Sequence, residues 1–260
     1  MLFQVLDDKK ECVGIYAEGR LHNVPPGDLS RTWKYSASLG DTDLDCAYLY
    51  TNGKTPSEAC PEGLRAKWDE VVEKLKAFFV AFDESKVSLY DNCFYDLVPD
   101  RFLLEFCDMK NQISKHVFDN YDKPKNYSFL YSLHKMVEDL KFQKLNIDKH
   151  ALDDKLADYK TRSFLRKLSS VDPFISYNMF GTVTGRMTTA PKSFPILTLD
   201  KDHREILIPT NDWFIELDFN AAELRTLLAL AGKEQPSEDI HEWNIANVFD
   251  SSMTREQAKK

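Results

Sequence analysis

The chain has 260 residues, 43% of them hydrophobic and 29% charged, and carries a net charge of −8. That balance suits a globular fold and excludes fibrous and disordered chains. No apolar run approaches the roughly 18 residues of a membrane span, and MLFQVLDDKKE meets charge too early for a signal or transit peptide, so no membrane association and a cytoplasmic location are expected.

In chain order, FQVLD (3–7) and CVGIYAEG (12–19) read as a hairpin around Asp-Asp-Lys-Lys, and AYLYT (47–51) as a further strand. A helix is predicted over about 61–82, with Pro61 suited to its start and Leu64, Trp68, Val71, Val72, Leu75, Phe78, Phe79 and Phe82 on one face. Five cysteines, Cys12, Cys46, Cys60, Cys93 and Cys107, are odd in number and form no CxxC pair. They are read as reduced thiols, with neither a disulfide framework nor a zinc knuckle.

From 98 to 172 the pattern is helical and increasingly basic. Phe102, Leu103, Phe106 and Met109 share a face, as do Leu130, Leu133, Val137 and Leu140, then Leu152, Leu156, Tyr159 and Leu165. Lys155, Lys160, Arg162, Arg166 and Lys167 gather on the last of these. Net charge is −7 over residues 1–100, +4 over 101–200 and −5 over 201–260, which makes the middle third the part suited to phosphates.

Residues 213–219 alternate, with Phe214, Glu216 and Asp218 on one face, and a helix is predicted next with Gly232 as its stop. A carboxylate at such a strand end can hold a divalent ion on rigid backbone. Glu223 lies five residues beyond Asp218, and Arg225 two further on. DFNAAELR resembles the palm motif of family A DNA polymerases, which reads close to D-Y-S-Q-I-E-L-R. The resemblance implies that Asp218 binds both Mg²⁺ ions of a two-metal site, helped by the Phe219 carbonyl, with Glu216 as the rival ligand. Glu223 would be the steric gate against a ribose 2′-hydroxyl.

Three further segments resemble the same family in the same order. GTVTGRMTT (181–189) is similar to the element leading into the palm, where Arg186 would reach the minor groove at the primer terminus. EDIHEWNIANVF (238–249) implies a triphosphate contact from His241, with Trp243, Ala246 and Phe249 as helix core. MTREQAKK supplies Arg255 and Lys259 at the first spacing of the fingers helix, also for the triphosphate. Lys160, Arg162, Arg166 and Lys167 would grip duplex phosphates. PKSFPILTLDKDHREILIP (191–209) departs from the family's P-N-L-Q-N-I-P and looks more like phage-encoded members, implying a host cytoplasm.

The expected architecture is mixed α/β in three parts. These are an N-terminal α/β unit (1–97), which stands where the family carries an exonuclease but lacks its carboxylate pair, a helical thumb-like region (98–175), and the first half of a palm with antiparallel sheet plus the start of the fingers helix (176–260). No His-Asp-Glu motif follows Asp218. The expected function is therefore template-directed nucleotidyl transfer from dNTPs on primer–template DNA, completed by a continuation or a second polymerase chain. The alternatives are a non-catalytic, polymerase-like DNA-binding or scaffolding subunit and, disfavoured by Glu223, a single-subunit RNA polymerase.

Overall fold

The structure is a computed structural model that describes residues 1–249 and 252–259. The chain divides into two compact units, Met1–Ile208 and Pro209–Lys260. No helix among the described residues is long and apolar enough to cross a membrane.

The first unit is mixed α/β. Strands β1 (Phe3–Val5), β2 (Ile15–Ala17) and β3 (Arg20–His22) form an antiparallel sheet with Phe3 opposite Ala17 and Ile15 opposite His22. The predicted hairpin is present, with shorter strands. A parallel bridge from Leu2 to Arg31 brings in β4 (Arg31–Thr32), which pairs in parallel with β5 (Asp45–Cys46).

AYLYT is not a strand. Residues Ala47–Tyr50 form the short helix α1, its turn closed by the Thr51 amide donating to the Ala47 carbonyl at 3.1 Å. The Tyr127 hydroxyl accepts from the Cys46 amide at 2.7 Å and donates to the Leu44 carbonyl at 2.7 Å, taking the place of another strand. Four apolar residues are too few for periodicity to separate helix from strand.

After α2 (Pro56–Ala59), helix α3 runs Glu62–Glu84 with Pro61 at its N-cap. Helices α4 (Phe94–Leu97), α5 (Asp100–Asn120) and α6 (Tyr127–Leu140) follow. The alternation of β1 divides its side chains between two helical layers. Phe3 joins Ile15, Ala17, Tyr127, Tyr131 and Val137 in one core, while the Gln4 amide donates to Asn111 at 2.9 Å and Ser114 at 3.0 Å on α5. A second core joins α3 and α5 through Trp68, Val71, Phe102, Leu103, Met109, Ile113 and Val117. The helices expected as a separate middle region thus pack within the same unit as the N-terminal sheet.

The pattern drawn through Leu152, Leu156, Tyr159 and Leu165 breaks. Lys149–Lys155 is a 3₁₀ segment, and α7 (Tyr159–Leu168) starts afresh where the Asp158 carboxylate accepts from the Thr161 amide at 2.9 Å. Leu156 and Tyr159 are therefore exposed, and a small core of Leu152, Leu168, Phe194, Leu199 and Ile206 forms instead. Strands β6 (Tyr177–Asn178) and β7 (Thr188–Thr189) close an antiparallel hairpin.

The cysteine expectation also needs correcting: Cys12 and Cys93 form a disulfide, with Cα atoms 5.7 Å apart. The fold sets the β1–β2 turn against the N-cap of α4, where the Asp7 carboxylate accepts from the Phe94 amide at 2.8 Å. A separation of 81 residues hides that proximity from the sequence. Cys46, Cys60 and Cys107 are free and buried.

The second unit holds α8 (Ala222–Leu230), α9 (Ile240–Asn247) and α10 (Arg255–Ala258). No palm sheet forms among its described residues. The segment 213–219 has no regular secondary structure and pairs with no strand, and Trp213, Ile215, Leu217 and Phe219 are all exposed. Alternation supplies a strand's side-chain pattern, but a ladder needs a partner backbone.

Candidate functional site

The sharpest local feature of the second unit is the entry to α8. Ala221, its N-cap, has a φ of 48°, in the left-handed region that alanine enters at a cost. The turn is held by Arg225, whose guanidinium donates to the carbonyls of Asn220 (2.9 Å), Pro236 (2.9 Å) and Glu238 (3.0 Å). Gly232, at a φ of 63°, ends the helix as its sequence position predicted.

Asp239 is the second organiser. Its carboxylate caps α9 by accepting from the His241 amide at 2.9 Å and the Glu242 amide at 3.3 Å, and it also accepts from Asn220 at 3.2 Å. Arg255 donates to it at 2.6 Å. That hydrogen bond, with the two amides, holds the Asp239 carboxyl below the usual carboxylate range. One short side chain therefore ties together the starts of α8, α9 and α10.

Around this frame, Asp218 and Phe219 lie on the exposed approach to α8, and Glu223 is exposed in its first turn. Glu216 is exposed on the same approach as Asp218. His241 is half-buried at the start of α9, and its Nδ1 is buried without a hydrogen-bond partner. Arg255 is engaged with Asp239 and lies 3.8 Å from Glu256, while Lys259 lies 3.5 Å from Glu256. Both cations thus meet carboxylates of this unit. The core expected of α9 is differently built: Ile240 is buried, whereas Ala246 and Phe249 are exposed.

In the first unit, Arg186 is exposed in the loop between β6 and β7, where its carbonyl accepts from the Thr182 hydroxyl at 2.8 Å. Gly185 takes a φ of 77° in that turn, and a Cβ on Gly181 would stand 2.0 Å from the Thr188 hydroxyl. Both glycines are thus required by the loop's shape.

On α7, Lys160, Arg162, Arg166 and Lys167 all lie on the exposed side of the helix, opposite the buried Thr161 and Leu168. Arg162 caps the preceding segment, donating to the Leu156 and Ala157 carbonyls at 2.7 Å each. Lys155 is drawn off to Glu205 and the Asp202 carbonyl. Arg166 and Lys167 make no ion pair or side-chain hydrogen bond among the described residues, and they are the members best placed to meet phosphates.

A pair of divalent ions needs several oxygen ligands around two positions about 4 Å apart. The described residues bring no such group to Asp218; the one close set of three potential ligands is Asp7, Cys12 and Cys93, with the two sulfurs joined to each other. Asp218 with the Phe219 carbonyl therefore does not by itself fit the two-metal centre that the motif implies. A denser cluster of ion pairs lies in the first unit, where Lys34 and Lys141 converge on the buried Glu138 and Lys141 also meets Asp8. No local motif announced it, since Asp8 and Lys141 stand 133 residues apart. Comparison with protein-family models, with curated proteins and with solved structures returns no match for this chain.

Proposed function

We propose that the chain contributes one half of a family A DNA polymerase active site, acting on primer–template DNA and dNTPs with Mg²⁺. The reading rests on one observation: DFNAAELR carries Asp218 and Glu223 at the family's spacing, with TGRMTT and DIHEWNIANVF in the family's order. Asp218 on the approach to α8 and Glu223 in its first turn suit a metal ligand and a gate held by one short helix. The exposed run from Trp213 to Phe219 suits a strand awaiting backbone from a continuation or a second chain.

Because the described residues bring no second carboxylate to Asp218, no catalytic step is assigned to this chain alone. The chain mixed with a polypeptide bearing the missing palm carboxylate should extend a primer in the presence of Mg²⁺. Asp218→Ala should abolish that extension, and Glu223→Ala should admit ribonucleotides. Extension that survives Asp218→Ala would sink the reading.

A second reading is a non-catalytic, polymerase-like DNA-binding subunit. It is favoured by the ion pairs of Arg255 and Lys259 with Asp239 and Glu256, which leave the fingers cations occupied. Duplex binding that weakens in Arg166→Ala and Lys167→Ala, without extension in any mixture, would select it.

A further inference from the structure

A cavity of about 390 Å³ opens where the chain leaves the carboxyl ends of β1 and β4, within the first unit. It has the volume of a small-ligand pocket, in a position where α/β sheets commonly bind ligands. Its charges come from four parts of the chain. Asp7 and Lys9, almost wholly buried, pair at 2.9 Å, and Lys9 also donates to the Leu89 and Asn92 carbonyls at 2.8 and 3.1 Å. Lys141 pairs with Asp8 and Lys34 with Glu138. Burial alone would raise the Asp8 pKa, but Lys141 and Lys34 outweigh it and hold the carboxyl below its usual range.

Lys110 is the exception. It lines this cavity from α5 and makes no ion pair or side-chain hydrogen bond among the described residues, its ammonium lying 5.8 Å from the centre of the Phe106 ring. Burial lowers its pKa from the ordinary lysine value. Asp8 offsets only part of that burial, and a lysine ammonium held at a cavity without a contacting counter-ion is costly, so folded chains seldom retain one without a ligand or partner to meet it.

Two other polar atoms of the lining residues are also unpartnered. Gln4 and Thr32 are both fully buried, and Gln4 Oε1 and Thr32 Oγ1 have no hydrogen-bond partner. Buried polar groups are nearly always satisfied, so each such atom calls for an explanation. Both atoms lie behind the cavity wall, out of a ligand's reach, whereas Lys110 stands at the cavity and calls for an anion. Tyr90, Phe94, Phe106 and Phe142 supply flat apolar walls.

We propose that this cavity binds a phosphate monoester. Its dianion sits on Lys110, with Lys34 and Lys141 alongside, and the aromatic walls flank the rest of the ligand. Nucleotides and sugar phosphates share that chemistry. The site belongs to Met1–Ile208 and Asp218 to Pro209–Lys260, and the proposal does not depend on the polymerase reading.

Calorimetric titration of the full chain with adenosine 5′-monophosphate, ribose 5-phosphate, inorganic phosphate and adenosine tests it. At least one monoester should bind, inorganic phosphate more weakly, and adenosine not at all. A preference for the nucleotide assigns the aromatic walls to a base, and a preference for ribose 5-phosphate assigns a sugar phosphate. Lys110→Met should weaken monoester binding on the order of tenfold or more, the value of a charge-assisted contact. The same variant should melt no lower than the parent, since methionine removes the desolvated charge. Asp218→Ala should leave the titration unchanged. Absence of binding by both monoesters, or unaltered binding by Lys110→Met, overturns the proposal.

Discussion

Residues 1–208 and 209–260 treat their apolar side chains in opposite ways. In the first unit, Phe3, Ile15, Leu49, Ile113, Phe194 and Ile206 are fully buried, in cores that each join several elements. In the second, Ile240 is the buried large apolar residue among those described, while Trp213 is 83% and Leu217 90% exposed. Side chain–backbone hydrogen bonds from Arg225 and the Asp239 cap hold its helices instead. The lesson is that capping and ion pairing can shape a segment locally without giving it a hydrophobic core, and large exposed apolar runs mark surfaces that other backbone covers.

That contrast can be broken by mutation. Phe3→Ala empties a core site and should cost about 3–5 kcal/mol, read as a lower urea midpoint; a loss below ~1 kcal/mol would mean that the first unit is no better packed than the second. Reducing Cys12–Cys93 should cost about 2–4 kcal/mol by freeing a long loop in the unfolded chain. Thiol titration of the unreduced, denatured protein should correspondingly count three free cysteines. Five titrated thiols would remove the disulfide.

His134 offers a finer test. Burial, with Lys34 and Lys141 nearby, lowers its pKa from 6.5 to about 3, and its ring accepts from the Tyr35 amide at 3.3 Å. The unfolded chain therefore takes up a proton below pH 6.5 that the folded chain refuses until about pH 3. The stabilisation is complete above the unfolded value and is lost as pH falls through that window, by about 1.4 kcal/mol per pH unit. Urea midpoints followed from pH 7 to 4 should show this slope, and His134→Gln should flatten it. An equal slope in both proteins would place the acid sensitivity elsewhere. The smallest effect belongs to the second unit: Leu217→Ala should alter the stability of the isolated chain by no more than ~0.5 kcal/mol, as for an exposed site. A larger loss would show that the 213–219 segment is packed after all.

The legible features of the fold were those written within a few residues. The β1–β2 hairpin announced itself by alternation around a charged turn, α3 by its apolar face, and the end of α8 by Gly232. AYLYT was misread because its alternation, with Ala47 and Leu49 fully buried, is what a short buried strand would show. The 3₁₀ segment Lys149–Lys155 and the restart at Asp158 escape a periodicity reading because a cap is a single polar residue among apolar positions that keep helical spacing. Of the candidate site, the motif spacing around Asp218 was readable, whereas the attachment of Arg255 to Asp239 was not.

By itself the sequence determined the helical and hairpin periodicities, the basic character of α7, and the spacing of Asp218, Glu223 and His241 on which the polymerase resemblance rests. Tertiary structure alone decided which charges are paired, that Cys12 meets Cys93, and that Lys110 stands unpaired beside Gln4 and Thr32 in one cavity. The reason is range. Backbone propensity and side-chain periodicity act over a few residues, whereas burial and electrostatic pairing depend on groups brought together from 80 or more positions away.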